Sequence, residues 1–129
     1  MSGTVLILDD DAAVLELTSL YLNSRGFSTL ACHSAASALE KLREAAGEIE
    51  MLVADVTLPD GSGIEIASQL KDLVPELKIL FVSGYSVLDL KPTDSALFHR
   101  LPPNSVSFLR KPYSGQDLVD KLTELSGRP

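Results

Sequence analysis

The stretch VLILDDDAAV, residues 5–14, passes from four aliphatic residues directly to three consecutive carboxylates, Asp9, Asp10 and Asp11. A short, unbroken aliphatic run predicts a strand that is buried on both faces of a parallel sheet. Like charges repel, so adjacent aspartates at the end of such a strand favour either a solvated helix start or a cation site. Asp11 is best interpreted as a capping or first-turn acid of the helix that follows.

Further aliphatic and β-branched runs alternate with segments in which apolar residues recur at helical spacing. This alternation predicts a doubly wound α/β fold with five parallel strands, right-handed crossovers and helices on both faces of the sheet. The more mixed second run predicts an edge strand. The predicted strands are Thr4–Leu8, Phe27–Cys32, Met51–Ala54, Lys78–Val82 and Val106–Leu109.

The helical segments carry start and stop signals of their own. Ser34 is a predicted N-cap, Gly47 a C-terminal stop, and SGQD, residues 114–117, a capping box. The stretch YSVLDLKPTDSALFHRLPP, residues 85–103, contains Pro92 and a proline pair, so it predicts a fourth helix that is short, broken or partly extended. The predicted apolar faces are Val14, Leu17 and Tyr21 in the first helix; Ala35, Ala38, Leu39, Leu42 and Ala46 in the second; Ile64, Ala67 and Leu70 in the third; and Leu118, Val119, Leu122 and Leu125 in the last.

Composition restricts the class of protein and its partners. A chain of 129 residues fits one domain, and its net charge of −7 disfavours direct binding to nucleic acid or to an anionic membrane. The apolar runs are far too short to span a bilayer and no signal peptide is recognisable, so we expect a cytoplasmic protein without membrane insertion. The single cysteine, Cys32, completes no metal motif and is expected to be a small buried hydrophobe.

Polar residues follow the predicted strands at the point where each strand ends. In a doubly wound sheet ligands bind at this edge, which receives Asp9 and Asp10, Asp55, Ser83 and Lys111. Carboxylate oxygens are ligands that Mg²⁺ prefers, and a cation would relieve their repulsion. A phosphoryl group held by the metal on one side and by a lysine and a hydroxyl on the other leaves a carboxylate positioned for in-line attack, with an aspartyl phosphate as product.

Four motifs around these positions resemble the receiver domain of two-component response regulators. They are LILDDD, residues 6–11; LVADVTLPDGSGIEI, residues 52–66; ILFVSGYS, residues 79–86; and SFLRKPYS, residues 107–114. Four motifs in this order at four strand ends are a specific signal, and the last two look most like receivers of hybrid histidine kinases. The resemblance implies a single receiver domain over residues 1–129, without an output domain, with flavodoxin-like strand order 2-1-3-4-5.

The resemblance also implies the roles of the acidic residues. Asp55 matches the phosphoacceptor, and Asp9 and Asp10 match the acidic pair that holds Mg²⁺, Asp10 directly and Asp9 through water. The main-chain carbonyl of Thr57 completes the protein's share of the metal shell. No organic cofactor is implied.

The remaining matched positions concern the phosphoryl group and the response to it. Ser83 and Lys111 match the hydroxyl and the ammonium that contact phosphoryl oxygens, and Phe108 matches an aromatic switch residue that rotates when Ser83 moves. Thr57 and Tyr85 flank the path of attacking water and are expected to influence the phosphoryl lifetime. The Lys111–Pro112 bond resembles one that is cis in the family.

The implied function is a phosphorylation-controlled switch. A sensor histidine kinase or a histidine phosphotransfer protein donates the phosphoryl group, and a downstream protein target reads the result. The chain is then a phosphoacceptor that assists its own phosphorylation and dephosphorylation rather than an enzyme. The interval from Ser83 to Lys111 is longer than is usual in the family, by about one to two helical turns; because the fourth helix often forms the dimer and output surface, a homodimer is left open.

Two other functions compete with this interpretation. A phosphatase of the haloacid dehalogenase type would use Asp9 as nucleophile and Asp11 as acid, but Ala13 stands where that family has Thr or Val, and Asp55 is left without a role. A binding-only receiver would keep the pocket and not use it. An aromatic in a buried strand is usually a core residue whether or not it also switches, so Phe108 is also interpreted as core. His33 and His99 are expected to be surface residues without a role.

Overall fold

The computed structural model describes residues 3–45, 47–59 and 61–127, so the predicted apolar residue Ala46 lies outside the described residues. Strands and helices alternate along the chain as the sequence predicts. They are β1 (Thr4–Leu8), α1 (Ala12–Ser24), β2 (Ser28–Cys32), α2 (Ala35–Ala45), β3 (Ile49–Asp55), α3 (Gly63–Leu73), β4 (Lys78–Ser83), α4 (Pro92–Arg100), β5 (Val106–Arg110) and α5 (Gly115–Ser126).

The five strands form one parallel sheet in the order β2-β1-β3-β4-β5, which confirms the predicted fold class and strand order. Strand β2 lies at an edge, also as predicted. A short antiparallel hairpin, in which Thr57–Leu58 pairs with Gly61–Ser62, stands between β3 and α3 and was not predicted. None of the helices in the described ranges combines the length and apolar character that a bilayer crossing requires.

Each central strand buries both of its faces, because alternate residues point to opposite sides of the sheet. In β1, Leu6 and Leu8 pack in the layer that contains α2 and α3, whereas Val5 and Ile7 pack in the layer that contains α1 and α5. Strands β3 and β4 divide in the same way. This two-sided burial explains why their sequences are unbroken apolar runs.

Local hydrogen bonds confirm the predicted helix starts. Asp11 caps α1 by accepting hydrogen bonds from the main-chain N–H groups of Ala13 and Val14, at 2.9 and 3.2 Å. Ser114 and Asp117 form the predicted capping box of α5. The Ser34 hydroxyl accepts from the N–H of Ser37 at the start of α2.

The predicted buried face of α1 is wrong. Leu15 and Leu22 point into the core, whereas Leu17 is 68% exposed and Val14 and Tyr21 are only half-buried. Apolar residues occur around most of this helix, so helical spacing alone selects no single face. Packing against the sheet selects it.

The segment before β5 contains a short fourth helix, as predicted, but Pro92 begins this helix rather than interrupting it. Proline suits the first helical position because the N–H that it lacks would have no partner there. Short 3₁₀ helices, Val87–Asp89 and Pro103–Ser105, precede and follow α4. Much of the interval from Ser83 to Lys111 therefore lies outside the α-helix.

The buried face of α1 can be tested by truncation. We expect Leu22→Ala to lower the free energy of unfolding by about 2–5 kcal/mol, because Leu22 is fully buried, and Leu17→Ala to change it by less than about 0.5 kcal/mol. Urea unfolding followed by circular dichroism measures both. Equal losses in the two variants would contradict the observed orientation of the helix.

Candidate functional site

The residues predicted for the site meet at the carboxyl edge of the sheet. Asp9 directly follows β1, Asp55 ends β3, Ser83 ends β4 and Lys111 directly follows β5. These four strands are consecutive neighbours in the sheet, so their ends bring the side chains to one place. Tertiary structure therefore assembles the set that the strand-end rule selected.

Three carboxylates form a compact cluster at this edge. One oxygen from each of Asp9, Asp10 and Asp55 lies within 4.8 Å of the other two. Asp9 and Asp55 are buried and Asp10 is exposed, so the cluster opens to solvent on one side. Asp11, by contrast, points its carboxylate at the start of α1.

The Asp55 carboxylate is held by two donors. The Lys111 ammonium donates to Oδ2 at 2.8 Å, and the main-chain N–H of Thr57 donates to Oδ1 at 3.0 Å. The main-chain N–H of Lys111 donates to the carbonyl of Ser83 at 2.7 Å, which joins the backbone of the lysine to the end of β4. The Lys111–Pro112 peptide bond is cis, as the resemblance implied. Asp55 is thus the acid of the cluster whose carboxylate forms an ion pair with Lys111.

Burial and like charge together raise the pKa of Asp9. Burial is the largest cause, and the charges of Asp55 and Asp10 add to it, whereas the N–H of Asp11 and the charge of Lys111 act in the opposite direction. Burial alone would lower the pKa of Lys111, but the hydrogen bond and charge of Asp55, together with the charges of Asp9 and Tyr113, outweigh it, and the pKa is raised. Burial and like charge therefore destabilise the negative charge of Asp9.

The donor set fits Mg²⁺. Carboxylate oxygens are hard ligands, and a divalent cation placed among them would offset the repulsion that raises the pKa of Asp9. The residues placed to hold the ion are Asp9, Asp10 and Asp55. The metal contact of the Thr57 carbonyl stays a prediction.

Ser83 and Tyr85 are joined by a hydrogen bond within the loop after β4. The buried Ser83 hydroxyl accepts from the N–H of Tyr85 at 3.0 Å, and the Tyr85 side chain is 59% exposed. Thr57, the other predicted lifetime residue, is exposed in the hairpin after β3. Thr57 thus lies two positions after Asp55, and Tyr85 lies two positions after Ser83.

Phe108 belongs to an aromatic group that sequence reasoning did not find. Its ring is half-buried and meets the ring of Phe98 edge-on, with centroids 5.9 Å apart, and Phe98 lies 5.8 Å from Phe81. Phe98 is on α4 and Phe81 is on β4, so the group connects strand to helix. Phe108 is therefore a packed core aromatic in this structure, and its switching role stays a prediction.

Gly63 is a site residue that the sequence analysis missed. A β-carbon at this position would overlap the main-chain carbonyl oxygen of Asp55, and the Gly63 N–H donates to the carbonyl of Val56 at 2.8 Å. The first turn of α3 therefore lies directly against the main chain of Asp55. The glycine that follows Ser62, the N-cap of α3, was the available signal.

Tyr113 is a second neighbour that was not predicted. Burial raises the pKa of its phenol, the charge of Lys111 opposes this effect, and the charges of Asp9 and Asp55 add to it. The phenol thus lies within electrostatic reach of the site, in the core layer that contains α1 and α5. His33 and His99 are exposed, as predicted.

Comparison with protein families matches residues 5–123 to the response regulator receiver domain. The chain belongs to this family. The sensor kinase CckA of Brucella abortus (strain 2308) is 33% identical over 125 residues, which are 96% of this receiver domain and 12% of that protein. The response regulator receiver protein CpdR of the same strain is 28% identical over 121 residues, which are 94% of this chain and 94% of that protein.

Solved structures agree with the assignment. A CheY-like receiver domain protein from Methanospirillum hungatei JF-1 superposes with a TM-score of 0.83 at 26% sequence identity, covering 98% of this receiver domain and 96% of that chain. The relatives thus include a sensor kinase, of which the chain spans about one eighth, and a receiver protein of nearly the same length. The predicted family and fold are confirmed.

The raised pKa of Asp9 makes a prediction about the stability of the metal-free receiver domain. The folded state binds the Asp9 proton more tightly than the unfolded chain, so the contribution of Asp9 is fully present below its ordinary pKa of 3.8 and is lost as pH rises through the folded-state pKa. With EDTA at pH 7 we expect Asp9→Asn to raise Tm by roughly 2–5 °C, which corresponds to about 1 kcal/mol in a domain of this size.

Below the ordinary pKa of aspartate this difference should disappear, because both side chains are then uncharged in either state. Added Mg²⁺ should raise the Tm of the unsubstituted protein more than that of Asp9→Asn. Differential scanning calorimetry at pH 7 and at a pH below the ordinary pKa of aspartate measures both effects. A lower Tm for Asp9→Asn at pH 7 in EDTA would contradict the buried-charge argument.

The contact at Gly63 predicts a local packing defect. We expect Gly63→Ala to lower the free energy of unfolding by about 1–3 kcal/mol, because the methyl group must displace the main chain of Asp55. Gly47→Ala is the matched control, since a β-carbon there meets no atom within 4 Å. Similar losses in urea unfolding would show that the Gly63 contact is not responsible.

Proposed function

We propose that this receiver domain accepts a phosphoryl group from a phosphohistidine onto Asp55 and acts as a phosphorylation-controlled switch. The observation that carries the proposal is the position of the Asp55 carboxylate between the Lys111 ammonium and the acids Asp9 and Asp10. A carboxylate in this setting is both a nucleophile and a place where added phosphoryl charge finds a cation.

The proposed transfer is a balanced displacement. A lone pair of an Asp55 oxygen forms the new O–P bond as the N–P bond of the donor phosphohistidine breaks. The N–P electron pair stays on the leaving imidazole nitrogen, which takes a proton from solvent. The Thr57 N–H and the Lys111 ammonium orient the carboxylate beforehand, one at each oxygen. As the phosphoryl group arrives, Lys111 and the Ser83 hydroxyl donate to its oxygens.

Asp9, Asp10, Asp55 and the carbonyl of Thr57 are the groups proposed to hold Mg²⁺. When bound, the ion supplies positive charge that offsets the negative charge of the acids and of the phosphoryl oxygens. The contribution of the chain is to keep the carboxylates close together before the donor arrives. Two buried acids in one cluster achieve this only because the opposed Lys111 compensates part of their charge.

The proposed output uses the path from Ser83 to α4. When Ser83 turns toward the phosphoryl group, its hydroxyl leaves the N–H of Tyr85 and vacates space toward which Phe108 moves. The edge-on contact between Phe108 and Phe98 carries this movement to α4. A local charge thus biases a packed element that has two arrangements.

Dephosphorylation is proposed to depend on Thr57 and Tyr85. Both lie two positions beyond a residue that contacts the phosphoryl group, and Tyr85 is exposed enough to admit or block an attacking water. The chain thereby assists loss of the phosphoryl group, and we class it as a phosphoacceptor rather than an enzyme.

The proposed partners are proteins. A sensor histidine kinase or a histidine phosphotransfer protein supplies the phosphohistidine, and a downstream target reads the switch in the cytoplasm. The similarity to the sensor kinase CckA and to the receiver protein CpdR supports a place in two-component signalling. The acidic net charge of −7 supports protein partners over nucleic acid.

Phosphorylation at Asp55 is tested by intact mass after incubation with acetyl phosphate and Mg²⁺. We expect the mass of one phosphoryl group on the unsubstituted protein, in an acid-stable and base-labile form, none on Asp55→Ala, and sharply less on Asp9→Ala or in EDTA. Asp11→Asn is the matched control, because it keeps a helix cap and removes an acid outside the cluster; its labelling should persist.

The same experiment separates the competing functions. Turnover that survives Asp55→Ala but not Asp9→Ala would favour the phosphatase with Asp9 as nucleophile. The structure disfavours it, because the ammonium of Lys111 pairs with Asp55. Absence of label in the unsubstituted protein would favour a binding-only receiver.

A further inference from the structure

The outer edge of β2 leaves main-chain hydrogen-bonding groups without partners. The carbonyl of Cys32 accepts from the N–H of Asp9 at 3.2 Å, so the main-chain groups of Cys32 face β1. Main-chain direction alternates along a strand, so Leu30 also faces β1, whereas the N–H and C=O groups of Thr29 and Ala31 point away from it. In the described part of the chain no strand lies on that side of β2 to receive them.

This edge lacks the features that normally keep edge strands apart, which are charged side chains, prolines and bulges. Its sequence STLAC, residues 28–32, contains no charged residue and no proline, and its register with β1 runs without interruption. The opposite edge strand, β5, differs because it ends in the exposed Arg110. Ala31 is exposed and Leu30 is half-buried, so a strand added to β2 would also cover apolar side chains.

The outward groups are complementary to those of a second copy of the same strand. An antiparallel copy related by a two-fold axis at Leu30 places Thr29 of each chain opposite Ala31 of the other. Both residues of such a pair direct their main-chain groups at each other, so each of the two pairs exchanges two hydrogen bonds. On the axis Leu30 meets its own counterpart, on the face of the sheet that α2 covers.

The charges beside the strand are complementary under the same two-fold axis. A cavity of about 290 Å³ between β2 and α2 is lined by Lys41, Glu44 and Glu48, and Lys41 forms no salt bridge with any described residue. In the antiparallel arrangement the two α2 helices lie on one face of the joined sheet and run in opposite directions. Lys41 of each copy then faces the acids of the other, whereas the net charge of −7 makes two copies repel elsewhere.

We propose that two copies of this chain associate by antiparallel pairing of their β2 strands about a two-fold axis at Leu30. We call this contact the β2 interface. It joins two five-stranded sheets into one continuous sheet. Because the paired strands run in opposite directions, the carboxyl edges of the two copies point away from each other and both phosphorylation sites stay open. The β2 interface does not depend on the proposed function.

The β2 interface is tested by sedimentation equilibrium and by amide hydrogen exchange of the ¹⁵N-labelled full chain. A single pair of short strands makes a small interface, so we expect a Kd of roughly 0.1 mM and compare protein at about 10 µM and about 1 mM. The N–H groups of Thr29 and Ala31 should exchange about fourfold more slowly at the higher concentration, where most of the protein is dimeric. The N–H of Leu30, which faces β1, should be protected at both concentrations.

Substitutions at Ala31 locate the contact. Ala31→Pro removes an outward N–H and leaves the hydrogen bonds to β1 in place, so the chain should fold and associate at least about tenfold more weakly. Ala31→Thr is the matched control, because it keeps the N–H and suits a strand; its association should persist. Should circular dichroism show that Ala31→Pro is unfolded, Ala31→Lys makes the same test, since a lysine on an edge strand opposes pairing.

The charges of α2 are tested by Lys41→Glu, which should weaken association about threefold because it places an acid opposite the acids of the second copy. Lys121→Glu makes the same charge change on α5, away from β2, and should have a smaller effect. Equal weakening by these two variants would overturn the charge pairing. A monomer at about 1 mM, association that a folded Ala31→Pro or Ala31→Lys variant leaves unchanged, or a dimer without slowed exchange at Thr29 and Ala31 would overturn the β2 interface.

Discussion

The contact between the Lys111 ammonium and the Asp55 carboxylate is the interaction on which the arrangement of the site depends. It places a cation against a cluster in which two buried acids and one exposed acid repel one another. The charge of Lys111 also opposes the rise that burial causes in the pKa of Asp9, as does the N–H of Asp11. The contact is possible only because β3 and β5 both end at the same edge of the sheet, with β4 between them.

Two-sided burial of the central strands keeps this edge in register. Leu6 and Leu8 face one helical layer while Val5 and Ile7 face the other, so a shift by one residue would turn both sets to the wrong side. The strand ends therefore deliver Asp9 and Asp55 to fixed positions. Gly63 adds a contact of its own, because α3 begins against the carbonyl of Asp55 and leaves no room for a side chain. A site held by core packing of this kind is set before any ion or phosphoryl group arrives.

Two structural paths lead away from the site toward α4. One passes from Ser83 through β4 and the aromatic rings to Phe98, inside the core. The other passes through the hydrogen bonds of Thr57 and Tyr85 to the surface cavity that both residues line. Both reach the segment between β4 and β5. The site and α4 are therefore connected both through the core and along the surface.

Local residue patterns were enough to predict the strands, the capping residues Asp11 and Ser114, and the five polar residues of the site, because those features depend on neighbours along the chain or on where a strand stops. The family motifs supplied the strand order and the cis bond before Pro112, and both are confirmed. The buried face of α1, the contact at Gly63 and the burial of Asp94 could not be predicted in this way. Each depends on which distant segment packs against it. The sheet turns Leu22 rather than Leu17 inward, and the carbonyl of Asp55 excludes a side chain at position 63. Tertiary packing buries Asp94, which the sequence alone presents as an ordinary helix-start residue.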